Sequence, residues 1–139
     1  MHFARLLHKI FTFEQTNLLV SFSLNQIFRT FAAMTQEEKT IIEERIVDVI
    51  KTVYDPEIPV NIYDLGMIYK IDVQDNYDVE VDMTFTAPNC PAADFILEDV
   101  RTKIESVEGV QNVNVNLVFE PAWDQSMMSE EARVELGFD

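Results

Sequence analysis

The stretch that decides the fold is VEVDMTFTAPNCPAADFILEDVRTKIESVEGVQNVNVNLVF, residues 79–119. Apolar and polar residues alternate over 79–85, which predicts a strand. Pro91 then suits the first turn of a helix whose apolar residues recur at helical spacing until Gly109. A second alternating run starts at Val113. Strand, helix and strand in this order form a crossover unit, so we expect the two strands to be parallel.

The apolar positions of this unit are expected to face the core. They are Val79, Val81, Met83 and Phe85 on the first strand, Ile96, Leu97, Val100, Ile104 and Val107 on the helix, and Val113, Val115, Leu117 and Phe119 on the second strand. The polar positions between them predict an open sheet face formed by Glu80, Asp82, Thr84, Thr86, Asn112, Asn114 and Asn116.

Upstream, alternation at Met67, Tyr69, Ile71 and Val73 predicts another strand, which a turn at 74–78 joins to residues 79–85 as a hairpin. A capping box at 35–38 (TQEE) predicts the start of a first helix. Its apolar stripe is Ile42, Ile46, Val49, Ile50 and Val53.

A loop at 55–66 is expected to separate that first helix from the hairpin, and a short last helix is expected at 129–137. The predicted fold class is α/β (α+β), with the order α-β-β-α-β-α. It is a small two-layer, three-stranded mixed sheet with helices on one face.

Residues 1–33 differ from the rest, because they hold six of the ten phenylalanines and only one acidic residue. We expect a division into an N-terminal extension at 1–33, which is either not native or else disordered or helical, and a domain at 34–139. Three interpretations of the extension compete. It is translated sequence upstream of a start at Met34, which we favour, or a targeting peptide, or an extra helix that docks on a partner.

Charge and composition exclude several classes of function. The formal net charge is −15, and the acidic excess lies entirely in 34–139. Such a surface repels nucleic acid and anionic membranes and attracts basic proteins and metal cations. No apolar run is long enough to predict a membrane span. Both histidines, His2 and His8, precede residue 34, so the body lacks Ser-His-Asp and Cys-His catalysis.

Cys90 is the only cysteine, which excludes an intrachain disulfide and favours a reducing compartment, the cytoplasm. It falls at the expected N-cap of the helix that follows Pro91, where free amide groups and the helix dipole would stabilise a thiolate. The alternative is a buried, inert cysteine. Clusters usually need four thiolates, so a cluster site at Cys90 has to be completed by a homodimer, a client protein or carboxylates.

Two further groups of residues are candidates for the same site. Asp55, Glu57 and Asp64 could bind a hard cation, although aspartates in such loops often only stabilise turns. Thr84 and Thr86, expected on the open face before Cys90, could donate hydrogen bonds to a ligand, but threonine is also common on exposed strands.

Four motifs together resemble one family: DPEIPVNIYDLGMIY (55–69), MTFTAPNCP (83–91), VEGVQNVNVNLVFEPAW (107–123) and MSEEARVELGF (128–138). They resemble the SufT-like metal–sulfur cluster assembly family, which includes PaaD-like relatives. The resemblance covers about residues 36–138. It implies an accessory or carrier factor, not an enzyme, that binds an iron–sulfur cluster or iron transiently.

The resemblance also implies which residues form the site. The family's cysteine falls on Cys90, its acidic loop on Asp55, Glu57 and Asp64, and its threonines on Thr84 and Thr86. The implied partners are the iron–sulfur assembly machinery and client apoproteins. Asn89 stands where the family commonly has glycine, and the sequence lacks the cysteine-rich tail of PaaD-like members.

Alternative functions remain at this point. The chain could be a protein-interaction adaptor with a structural Cys90, a PaaD-like accessory subunit of a multicomponent oxygenase, or a thiol-transfer enzyme. The absence of a resolving cysteine weighs against the last.

Overall fold

The computed structural model describes residues 34–138, and the prediction for 1–33 lies outside them. The elements are α1 (Gln36–Ile50), β1 (Ile68–Val73), β2 (Val79–Met83), α2 (Ala93–Glu105), β3 (Val113–Leu117) and α3 (Glu130–Glu135), with a 3-10 turn at Gln125–Met127. The order predicted from the sequence is confirmed.

α1 begins with the capping box that its sequence predicts. The Thr35 side chain accepts a hydrogen bond from the Glu38 amide at 3.2 Å, and the Glu38 carboxylate accepts one from the Thr35 amide at 3.0 Å. The pair satisfies two amides that the first helical turn would otherwise leave free. Residues at helical spacing on the inner face are buried: Ile42, Ile46 and Ile50.

The three strands form one mixed sheet in the order β1-β2-β3. β1 and β2 pair antiparallel, and β2 and β3 pair parallel, so the hairpin and the parallel crossover are both confirmed. One detail of β1 differs from the prediction. An irregularity in register at Tyr69 places Ile68, instead of Tyr69, opposite Met83. The extra residue shifts the alternation by one position, as a β-bulge does.

β3 lies at one edge of the sheet. Two residues at or just beyond its end that were predicted to face the core are exposed. Leu117 is 39% exposed and Phe119 is 50% exposed, so their expected inward position is wrong. No strand of 34–138 lies beyond β3, and Phe119 follows its last residue. The polar face is as predicted at Asn116, whose side-chain amide donates to Asp82 at 3.0 Å.

α2 covers the sheet together with α1, and the two helices also contact each other. Its core-facing residues Ile96, Val100 and Ile104 are fully buried, while Leu97 is half-buried. The helix begins at Ala93, with Ala92 as its N-cap and no side chain capping it. The prediction that Cys90 is the N-cap is therefore wrong.

The C-terminal part packs against the loop that precedes β1. The Ser129 amide donates to the Asp64 carbonyl oxygen at 2.7 Å, and the Ser129 side chain caps α3. α3 confirms the predicted last helix. Within residues 34–138, no helix combines the length and the hydropathy needed to cross a bilayer.

Candidate functional site

The candidate site is a thiol beside a buried carboxylate. Cys90 is half-buried, and its Sγ lies 3.9 Å from Oδ2 of Asp55 in the geometry of a weak S–H donor. Asp55 is only 8% exposed, and its Oδ1 accepts a hydrogen bond from the Glu57 amide at 3.0 Å. That second bond fixes the orientation of the carboxylate. A soft donor atom, the Cys90 sulfur, therefore lies beside a hard one, the Asp55 oxygen.

A turn before α2 positions the thiol. The Ala93 amide donates to the Cys90 carbonyl oxygen at 3.1 Å, which closes a turn through Pro91 and Ala92. Pro91 thus lies in this turn and not in the first turn of the helix. Because Ala92 and not Cys90 is the N-cap of α2, the argument that the helix cap stabilises a thiolate at Cys90 does not hold. The neighbour that the structure gives to Cys90 is Asp55.

Asp64, predicted with Asp55 from the same loop, makes different contacts. Its Oδ2 accepts a hydrogen bond from the Asn61 side-chain amide at 2.7 Å, and its own amide donates to Asn61 Oδ1 at 2.9 Å. These reciprocal bonds close the turn before Gly66, as aspartate and asparagine often do. A ligand role for Asp64 stays a prediction.

The two predicted threonines, Thr84 and Thr86, differ in their burial and surroundings. Thr84 is 1% exposed, so its expected place on the open sheet face is wrong. β2 ends at Met83, and the Thr84 amide pairs with the Met67 carbonyl oxygen at 2.8 Å. The strand alternation therefore does not extend to Thr84. Thr86 is half-buried and lines a groove together with the exposed Glu57.

The groove has a volume of about 390 Å³ and is mostly apolar. Its walls are Glu57, Ile58, Pro59, Leu65, Thr86, Trp123, Gln125, Met128, Leu136 and Phe138. The indole N–H of Trp123 donates to the Leu65 carbonyl oxygen at 2.8 Å, which fixes the ring against the loop. Phe138 is 40% exposed at the rim.

Two acidic residues, Asp124 and Glu130, follow Trp123 in the chain. Asp124 follows Trp123, and hydrogen bonds from the side chain and then the backbone amide of Ser126 lower the pKa of Asp124 from its usual 3.8. Its carboxylate caps the 3-10 turn at Gln125–Met127. Glu130 lines an adjoining depression that shares Met128 and Phe138 with the groove.

The part of the chain that the structure describes holds no group of three or more His, Cys, Asp or Glu side chains arranged for a metal ion. Cys90 and Asp55 together supply two donor atoms there. A four-coordinate metal or cluster would need further ligands from elsewhere.

A family model described as iron-sulfur cluster assembly protein matches residues 43–117. The chain belongs to this family. The match includes Asp55 and Cys90 and ends before Trp123 and α3. It confirms the resemblance that the four sequence motifs indicated.

Named relatives agree with the family assignment. A Porphyromonas gingivalis protein called Fe-S protein maturation auxiliary factor is 66% identical over 96 residues, which cover 69% of this chain and 91% of that protein. The Staphylococcus aureus protein called Fe-S protein maturation auxiliary factor SufT is 39% identical over 85 residues, or 61% of this chain and 97% of that one.

A solved relative supports the fold. The crystal structure of a domain of unknown function, DUF59, from Bacillus anthracis superposes with a TM-score of 0.70 at 30% identity. The superposition covers 76% of this chain and all of that domain. The mixed three-stranded sheet with its helices is thus the fold of this family.

Cys90 and Asp55 are site residues that the sequence predicts, whereas the groove was not predicted. Its walls come from separate segments at 57–59, 65, 86, 123–128 and 136–138. No periodic pattern joins such segments. The one local signal was an isolated tryptophan in a loop, which the sequence alone did not connect to Leu65 or Phe138.

Proposed function

We propose that this protein is an accessory factor in the maturation of iron–sulfur proteins that holds a cluster or iron as transient cargo. The observation that carries the proposal is the pairing of Cys90 with the buried carboxylate of Asp55 in a member of the iron–sulfur cluster assembly family. Relatives named as auxiliary factors support a role without turnover of a small substrate.

In this proposal Cys90 is the thiolate ligand and Asp55 is the neighbouring oxygen donor. Thiolates suit iron–sulfur cargo, and a carboxylate is a harder second ligand. Two donors from one chain bind more weakly than a complete set of four, which favours release. Glu57, Asp64, Thr84 and Thr86 are expected to shape the surroundings. The missing ligands come from a client apoprotein, from the assembly machinery or from a second copy in a homodimer.

Anaerobic reconstitution with iron and sulfide tests the proposal. The wild-type protein should acquire iron, sulfide and visible charge-transfer absorption, and Cys90→Ser should lose most of all three. Asp55→Asn should lower retention of the cargo while leaving the far-UV circular dichroism unchanged. Ser126→Ala is the control, because Ser126 is exposed and its hydrogen-bond partner is Asp124, whereas that of Cys90 is Asp55.

Stoichiometry and mass separate the ways of completing the site. One cluster per two chains, together with a mass that doubles on loading, supports a shared homodimer site. Loading only in the presence of an apoprotein supports a client ligand. A Cys90→Ser protein that loads as the wild type does contradicts the proposal.

An adaptor function is the second candidate, because Cys90 also packs against the hydrophobic core. It predicts that Cys90→Ala supports client maturation normally. Charge reversal at Glu80 and Asp82, which are half-buried on the polar sheet face, would instead abolish capture of the partner.

A further inference from the structure

We infer that the groove beside Trp123 binds an extended peptide segment of a partner protein, one that carries a large apolar side chain next to lysine or arginine residues. This inference rests on the proposed function for its biological meaning, since it names the kind of partner that would meet the cargo. The binding surface itself stands on three separate observations.

The first observation is the shape and chemistry of the walls. Seven of the ten lining residues are apolar: Ile58, Pro59, Leu65, Trp123, Met128, Leu136 and Phe138. A volume of about 390 Å³ falls within the range of ordinary ligand pockets. The hydrogen bond from Trp123 to Leu65 holds one wall in place before anything binds. Pre-formed apolar pockets with fixed aromatic walls accept anchor side chains at low entropic cost.

The second observation is the sign of the charge around the groove. Glu57 lies in its wall and Glu130 lines the adjoining depression, and these two carboxylates form the acidic rim. Arg133 is the single cation lining either depression. An anionic rim around an apolar floor favours a cationic, apolar occupant. It disfavours a second copy of this chain, because each copy carries a formal net charge of −15.

The third observation is the connection to the candidate cargo site. Glu57 lines the groove, and its amide donates to Asp55 Oδ1, while Asp55 Oδ2 faces Cys90 Sγ. Thr86 also lines the groove and precedes Cys90 by four residues. A peptide bound in the groove would therefore lie against Glu57, whose amide is hydrogen-bonded to the Asp55 carboxylate of the cargo site.

Selection from a randomised pool of nonapeptides on the immobilised full-length protein tests the inference. The retained peptides should be enriched in a large apolar residue beside lysine or arginine. The best of them, labelled with fluorescein, should bind about tenfold more weakly to Glu57→Lys, because the reversal places like charges together. Phe138→Ser should weaken binding by a similar factor through the lost apolar contact.

Glu44→Lys is the matched control, since it makes the same charge change at an exposed position on α1. It should leave peptide affinity within about twofold of the wild type at moderate salt, because α1 contributes no residue to the groove and exposed charges are screened. A retained pool without the apolar–basic pattern overturns the inference. Equal affinity for Phe138→Ser and the wild type does so as well.

Cluster uptake in the same variants keeps the two proposals apart. Phe138→Ser should lose peptide and still take up iron and sulfide, while Cys90→Ser should lose uptake and still retain the peptide. If Cys90→Ser loads normally, the cargo proposal fails and the groove stands as a docking site. If loading needs Cys90 but the peptide pool shows no pattern, only the groove inference fails.

Discussion

At the scale of single residues, Gly66 is the position where the fold leaves least room. Its φ is +75°, and an added Cβ would lie 2.6 Å from the carbonyl carbon of Met127 and still closer to its oxygen. Those are backbone atoms, so the 3-10 turn would have to move. We expect Gly66→Ala to lower the free energy of unfolding by about 3 kcal/mol, from left-handed strain plus steric overlap.

Gly137 provides the matched control for urea unfolding of the Gly66 variant. Its φ is +77°, but nothing lies within 4 Å of the position of an added Cβ. Gly137→Ala should therefore cost only the backbone strain, about 1 kcal/mol. Equal losses of unfolding free energy at the two positions would show that steric overlap with Met127 does not contribute to the effect of Gly66→Ala.

The candidate site shows what residue patterns can and cannot reveal. Cys90 and Asp55 were both predicted from the sequence, but the 3.9 Å contact between them joins residues 35 positions apart. Thr84 was placed wrongly because the strand alternation was continued to Thr86, whereas β2 ends at Met83 and Thr84 is buried. The side chain of Asp64 accepts a hydrogen bond from Asn61, a contact that the sequence pattern did not predict.

At the scale of elements, the start of α1 carries a clear prediction. Thr35→Ala removes the side-chain acceptor for the Glu38 amide and should lower the free energy of unfolding by about 1 kcal/mol. Thr40→Ala is the control within the same helix, because its exposed hydroxyl donates only to the Gln36 carbonyl oxygen. Alanine has the higher helix propensity, so Thr40→Ala should be neutral or slightly stabilising.

Both variants are compared by thermal and urea unfolding. If Thr35→Ala and Thr40→Ala change stability equally, the capping box contributes nothing measurable to α1.

Element types and order followed from the sequence because hydrophobic period and capping residues are local signals. The ends of the elements could not be predicted in the same way, because they depend on backbone hydrogen bonds between residues that no local pattern identifies. The turn between Cys90 and Ala93 delays the start of α2, and the extra residue at Tyr69 shifts the register of β1. The exposure of Leu117 followed from the edge position of β3, which is a property of the assembled sheet.

At the scale of the whole molecule, the main feature is the excess of acidic over basic residues. The sequence has 25 acidic and 10 basic residues, and the five ion pairs formed within residues 34–138 all have solvent-accessible partners. Exposed pairs contribute about 0.2–1 kcal/mol each and are screened by salt. The repulsion among the remaining carboxylates is screened too, and it opposes the folded state.

Salt should consequently act in opposite directions on folding and on binding. Raising NaCl from about 20 mM to about 500 mM shortens the Debye length severalfold, so we expect the melting temperature to rise as carboxylate repulsion weakens. A triple variant, E44Q/E108Q/E135Q, removes exposed charges outside those five pairs and should melt higher than the wild type at low salt, with a smaller response to NaCl.

The same increase in salt should weaken binding of the basic nonapeptide, because its attraction to the acidic rim is screened. A melting temperature that falls with salt would mean that the ion pairs outweigh the repulsion, and peptide affinity that does not respond to salt would mean that the rim charges do not attract the peptide.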